Sequence, residues 1–283
     1  MSSALIVARY ALREAVRRRV ILVVMFLTVC FLALYGLGCA VTFHQLDSVA
    51  AGPQLDDRVL AGSTLLGLSM FTILFLGAVL GVFLTLGAVR GDAERGLLQP
   101  LVVRPVGRTS LLLGRFAGAA SVCALYVALV YAAAVLITGI TGDWWPDRGL
   151  SAGVGLVLAV VVIAAISLLG SIFLSSTANG IAVFMLFGAG LAAGLLGQIG
   201  DALAVDTLTN VAKVSSWVLP FEALYQSGLH GLTADTGGIT GVIVKLGPFG
   251  GAEKAGGWLW VWTVVYLALI AVAARAAFAR RDL

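Results

Sequence analysis

Charge is what this 283-residue chain has least of. Only 11% of its residues are Asp, Glu, Lys or Arg, while 60% are apolar. An ordinary soluble domain carries about 25% charged residues. A surface facing water needs more charge than this chain holds, which excludes a soluble globular enzyme, a disordered chain and a coiled coil. The mean hydropathy of +1.05 points to a polytopic helical membrane protein.

Other absences narrow the chemistry. The only histidines are His44 and His230, both read as loop residues, and no H-E-x-x-H occurs. No metal site and no Ser–His pair within a span is expected. There is no G-x-x-x-x-G-K-[ST], and no G-x-G-x-x-G follows a strand, so the chain binds no nucleotide in any recognisable way. Cys30, Cys39 and Cys123 sit in apolar runs, odd in number and without a C-x-x-C. They read as small core residues rather than a disulfide framework. No apolar run contains a carboxylate or a lysine. Such a charge costs about 2.5–3.5 kcal/mol at mid-helix and survives only for function. Its absence argues against a proton-driven antiporter and a voltage sensor.

What the sequence does have is long uncharged runs. Residues 1–19 carry Arg9, Arg13 and Arg17 on one helical stripe and Leu5, Ala8, Leu12 and Val16 on another. That pattern predicts an amphipathic helix on the membrane surface. Six spans follow, at about 20–43, 62–89, 116–142, 150–174, 181–200 and 256–275, in one transmembrane domain covering 1–283. The uncharged run Gly149–Gly200 is too long for one helix, and Ser175–Gly180 is its expected turn. Trp144 and Trp145 in the loop after span three fit an interfacial belt.

Basic residues set the orientation. Thirteen Lys and Arg fall on the side of the termini and five on the other, while four acids face ten. The positive-inside bias places both termini in the cytoplasm. The 201–255 loop is then extracytoplasmic, and it is not plain linker. Leu203, Leu208, Val211, Val214, Trp217 and Val218 are spaced helically. Pro220 suits the first position of a second helix, with Glu222 in its first turn. Two short helices against the outer membrane face are expected here. The prevalence of Arg over Lys, with abundant Ala, Gly and Val, fits a GC-rich bacterial genome.

The segment Arg90–Arg115 is the most specific feature. It alternates charge with Leu and Val and carries Pro100 and Pro105. A mere connector needs neither, and its apolar side chains need lipid or a partner to cover them. Within it stand Glu94, Gly96, Leu97 and Leu98, then Pro105 and Arg108, then Gly114 and Arg115. Here the chain resembles the permease subunits of ABC-2 type ABC transporters, in particular the small six-helix permeases. Leu97 stands where that family often has Thr, and Gly107 where it often has Ser. The tail Ala277-Phe-Ala-Arg-Arg-Asp-Leu283 agrees as well.

The resemblance implies an all-α permease with a cytoplasmic coupling helix between spans two and three, paired with a second permease chain as a homo- or heterodimer. It implies a separate cytoplasmic ABC ATPase subunit, which holds the ATP and Mg; this chain would hold neither and catalyse nothing. Asp92, Glu94, Arg95, Gly96, Leu97, Leu98, Arg104, Pro105 and Arg108 would form the ATPase-coupling interface. Glu94, Arg95 and Arg104 would make charge contacts there, and Leu97, Leu98 and Val102 would fill a groove. Arg9, Arg13 and Arg17 would meet membrane lipid. Motion would pass from Asp92–Arg108 to spans one, two and five. Export across a bacterial cytoplasmic membrane is the expected activity, and no nucleic acid is expected as a partner. The alternative is an ATPase-coupled signal-transmission or scaffold subunit that moves no substrate and works through Trp217, Pro220 and Glu222 in the outer helices.

Overall fold

The computed structural model describes residues 19–48, 56–86, 108–236, 240 and 256–279. Among them lie eight helices and no strand. These are α1 (Arg19–Ser48), α2 (Asp57–Thr85), α3 (Arg108–Gly142), α4 (Gly149–Phe173), α5 (Ser176–Leu203), α6 (Asp206–Val218), α7 (Pro220–His230) and α8 (Trp258–Ala279). Six of them, all but α6 and α7, are long and apolar enough to cross a membrane. A 30 Å hydrocarbon core needs about 20 helical residues. At 1.5 Å per residue, the 35 residues of α3 extend well beyond it.

Helix boundaries depart from the sequence expectation where no breaker intervenes. The first span continues through His44 to Ser48, because no Gly or Pro follows Phe43 before Gly52 and Pro53. His44 is therefore a helix residue, and His230 is the last residue of α7. The helix that carries the third span starts at Arg108, ahead of Phe116, so the end of the expected coupling loop is its first turns. The turn between α4 and α5 is tighter than Ser175–Gly180. It comprises Leu174 and Ser175, and Asn179 already donates its backbone N–H to the Ser175 carbonyl at 2.8 Å.

Helices α2 and α4 form the buried centre, and α1, α5 and α8 lie at the periphery. Small residues allow the central pair to approach closely. A Cβ on Gly77 would come within 2.8 Å of Val160, and one on Gly81 within 3.3 Å of the Ala164 Cβ. This follows the small-residue packing of membrane helices, in which close backbone approach replaces the hydrophobic drive. Hydroxyl pairs tie α1 to α3: Thr28 with Tyr126 at 2.6 Å, and Tyr35 with Thr138. Cys39 and Cys123 are buried, whereas Cys30 lies on the exposed side of α1.

The two ends of the bundle differ in charge. One end gathers Asp47, Asp56, Asp57, Asp143, Asp147, Asp201, Asp206 and Asp235 at helix termini and turns. Arg58 bridges there to Asp47 at 2.7 Å and donates to the Gly142 carbonyl. Trp144 is a packing residue at this end rather than a belt residue. It is buried on Gly62, where no Cβ would fit. Trp145 lies across Gly139 and stays half exposed. At the opposite end Leu112 of α3, Leu168 and Ile172 of α4, and Ala274 and Phe278 of α8 make a separate apolar cluster.

Candidate functional site

The acidic end carries a cleft walled by α5, α6, α7 and α8. Its construction starts at the last turn of α5. Ala204 adopts a left-handed conformation (φ 51°) and reverses the chain, while the Val205 N–H bonds the Gly200 carbonyl at 2.8 Å. Helix α6 then runs back along α5. Gly197 and Gly200 let it press close, since a Cβ on either would fall within 3 Å of α6. No residue of α6 is buried, and Val211, Val214 and Val218 form an exposed apolar stripe.

The chain turns again at Leu219, and Pro220 opens α7. Both short helices expected against the outer face are present, and they differ in depth. Only α6 lies on the surface, whereas α7 is driven into the bundle. Phe221 is fully buried and stacks on Phe187 at 5.8 Å. Leu224, Tyr225 and Leu229 are buried with it. Gly155 of α4 admits the α7 backbone, for a Cβ there would lie 3.0 Å from the Leu224 carbonyl oxygen. Hydrogen bonds hold the far end of α7. Asp147 N–H donates to Leu232 and Arg148 N–H to Gly231, and the Arg148 side chain bridges to Asp235 at 2.9 Å.

This burial carries Glu222 inside. Its residual exposure is 6%, and its carboxyl group lies against Gly194 of α5, where a Cβ would collide with Oε1. No buried carboxylate was expected, because none occurs in a span. Glu222 escaped that expectation because a short helix outside the six spans brings it into the bundle. Burial pushes the phenol of Tyr225 above its ordinary range, and the charge of Glu222 adds to the effect. Tyr225 therefore stays protonated at neutral pH.

The cleft itself encloses about 290 Å³. Gln198 donates to Gln226 at 3.2 Å and joins α5 to α7 beside it. Aromatic rings make the opposite wall. Trp217 and Trp262 meet edge to face at 5.1 Å, and the Trp262 indole N–H donates to the Trp217 carbonyl at 3.0 Å. That bond anchors α8 to the C-terminal end of α6. Lys213 and Asp201 are exposed at the rim. Among the described residues no group of His, Cys, Asp and Glu has the geometry of a metal site.

A second polar cluster is buried at the other end. Thr85, at the end of α2, donates to the Ser167 hydroxyl of α4 at 2.7 Å. Asn179 of α5 donates its side-chain amide to the Ser167 carbonyl at 2.9 Å. Asn179 fits only because residue 170 is Gly, for a Cβ there would overlap its Oδ1. Leu86 reaches Gly180 in the same turn of α5. The cluster thus binds α2, α4 and α5 together just before residues 87–107.

Of the site residues expected from sequence, Trp217, Pro220 and Glu222 come together around the cleft. Pro220 serves as the first residue of α7 and the other two line the cleft. Arg108 is the first residue of α3. Asp92, Glu94, Arg95, Gly96, Leu97, Leu98, Arg104 and Pro105 lie outside the described residues, as do Arg9, Arg13 and Arg17. Gln198, Lys213, Trp258 and Trp262 were not singled out as one site. Three Trp at spacing two, 258, 260 and 262, are a visible signal, but that pattern reads equally as a membrane belt.

A protein-family model described as "ABC-2 family transporter protein" matches residues 5–283. No curated protein matches the chain.

Proposed function

The chain belongs to the ABC-2 transporter family, which makes it a multi-pass permease component of an ABC transporter with an ABC ATPase subunit as partner, and on that premise we propose that it is an exporter subunit. The observation that carries this reading is the family match over nearly the whole chain, on a bundle of six apolar helices. In this reading the permease catalyses nothing. ATP and Mg are held by the ATPase, and a second permease chain completes the transmembrane unit. Both termini face the cytoplasm of a bacterium, in keeping with the basic bias of their side. The single domain 1–283 then presents the cleft to the exterior. Lipid headgroups meet Arg9, Arg13 and Arg17.

The ATPase docks on residues 90–115. Glu94, Arg95 and Arg104 make charge contacts with it, and Leu97, Leu98 and Val102 fill its groove. Asp92, Gly96, Pro105 and Arg108 shape the docked segment. Two packed elements flank that segment and support a route for motion. On one side, Thr85 and Leu86 at the end of α2 are tied to α4 and α5. On the other, Leu112 at the start of α3 is locked to α4 and α8. A pull on the docked segment would move α2 against α3 and bias a two-state bundle. The open cleft of mixed polarity favours movement of a cargo over a sealed transmitter.

The test is a charge exchange. An E94R/R104E double variant of the full-length chain should lose co-purification of the ATPase. Retention at the wild-type level would remove these residues from the interface.

A further inference from the structure

We propose that Asn179 is a two-position latch between α4 and α5, whose Oδ1 lacks a hydrogen-bond partner in this structure and accepts from the Ser171 hydroxyl when α5 shifts against α4. Asn179 is fully buried, and its side-chain amide donates to the Ser167 carbonyl at 2.9 Å. Its Oδ1 makes no hydrogen bond and lies over Gly170, in the place a Cβ would take. Turning the amide over would set Oδ1 against the Ser167 carbonyl, acceptor on acceptor, so the orientation is fixed by that contact. A buried carbonyl oxygen without a donor is costly, and a leucine of similar size would avoid the cost. Asparagine here disfavours this position of α5 relative to any other in which Oδ1 finds a donor.

Ser171 supplies that donor. It is buried, next to Gly170 in the chain and one turn beyond Ser167 on α4. Its hydroxyl donates backward to the Leu168 carbonyl at 2.7 Å, a local bond that a rotation of the side chain exchanges for another. The surroundings leave α5 room to shift. Gly170 puts no side chain in its way, and a Cβ on Gly180 would meet nothing closer than the Leu86 methyl carbons at 3.6 Å. Ser175 gives the start of α5 no side-chain cap. Further along, α5 touches the cleft: Phe187 stacks on Phe221, Gly194 lies against Glu222, and Gln198 bonds Gln226. A shift at Asn179 therefore reaches α7 and the cleft along one helix.

The inference rests on the permease reading only in assigning the second position to the nucleotide-driven state; the two positions belong to this chain alone. The full-length chain would carry Cys30→Ser and a trifluoromethyl label on Thr177→Cys, an exposed position in the first turn of α5. Cys39 and Cys123 are buried and escape the label. Fluorine NMR in nanodiscs reads the populations. Two resonances are expected, the minor one enriched by ATP and vanadate when the ATPase is bound. Asn179→Leu and Ser171→Ala should each deplete it about tenfold. Ser171→Ala removes a single oxygen and keeps the test valid if Asn179→Leu does not fold. A merely structural Asn179 would leave the populations of Ser171→Ala at the wild-type ratio. That result, or a single resonance that nucleotide leaves in place, would overturn the proposal. If the ATPase co-purifies while only one unmoved resonance is seen, the latch alone is wrong. If both resonances respond to the variants and no ATPase is found, the latch holds and the permease reading fails instead.

Discussion

Asn179 of α5 donates its side-chain amide to the Ser167 carbonyl of α4 at 2.9 Å, inside a cavity that only a glycine at position 170 leaves open. The pair sits at the end of the bundle that precedes residues 87–107 and shares Ser167 with Thr85 of α2. Three helices therefore meet on one residue, Ser167.

The first prediction concerns that meeting point. Asn179→Ala should lower stability by about 1 kcal/mol, the scale of an interhelical hydrogen bond in a membrane. Gly170→Ala should cost more, because the new methyl overlaps Asn179. Combining the two should be less harmful than their sum, since Asn179→Ala clears the overlap. Thermal denaturation in detergent measures the cycle. Strict additivity would mean that Gly170 does not shape the Asn179 site.

Two other glycines should respond in opposite directions. Gly155 faces the Leu224 carbonyl of α7, which cannot rotate away. Gly155→Ala should destabilise the chain and loosen α7, seen as faster hydrogen exchange over Pro220–His230. Gly38 has open space around its Cβ position, so Gly38→Ala should add up to about 1 kcal/mol from helix propensity. A loss at Gly38 would show that another chain packs on that face of α1.

Ala204 holds a left-handed conformation at the junction of α5 and α6. An L-residue with a Cβ pays about 1 kcal/mol there, and glycine does not. Ala204→Gly should therefore raise the melting temperature, against the usual effect of introducing glycine. A lower value would mean that the turn is not held as described.

Much of this was legible in the residues. Five uncharged runs, of which Gly149–Gly200 breaks into two helices, carry the six long helices, because a span has to be continuously apolar. The helical spacing from Leu208 to Val218, and Pro220 after it, mark α6 and α7 where they occur. What stayed hidden depended on tertiary contact. Nothing in Pro220–His230 says that it packs against Gly155 rather than lying in the interface, so the burial of Glu222 could not be read. The contact of Trp144 with Gly62 joins residues far apart in sequence and imitates a membrane belt. His44 was misplaced for a simpler reason: a polar residue does not end a helix unless a breaker follows closely.

The central claim is a permease driven by a separate ATPase. Co-purification from the native host in mild detergent, with ATPase activity measured on the recovered complex, tests it most directly. The account predicts a P-loop ATPase bound to the full-length chain, with hydrolysis lost or uncoupled in Glu94→Ala and Arg108→Ala. Recovery of the chain alone, with no nucleotide-dependent activity, would contradict it.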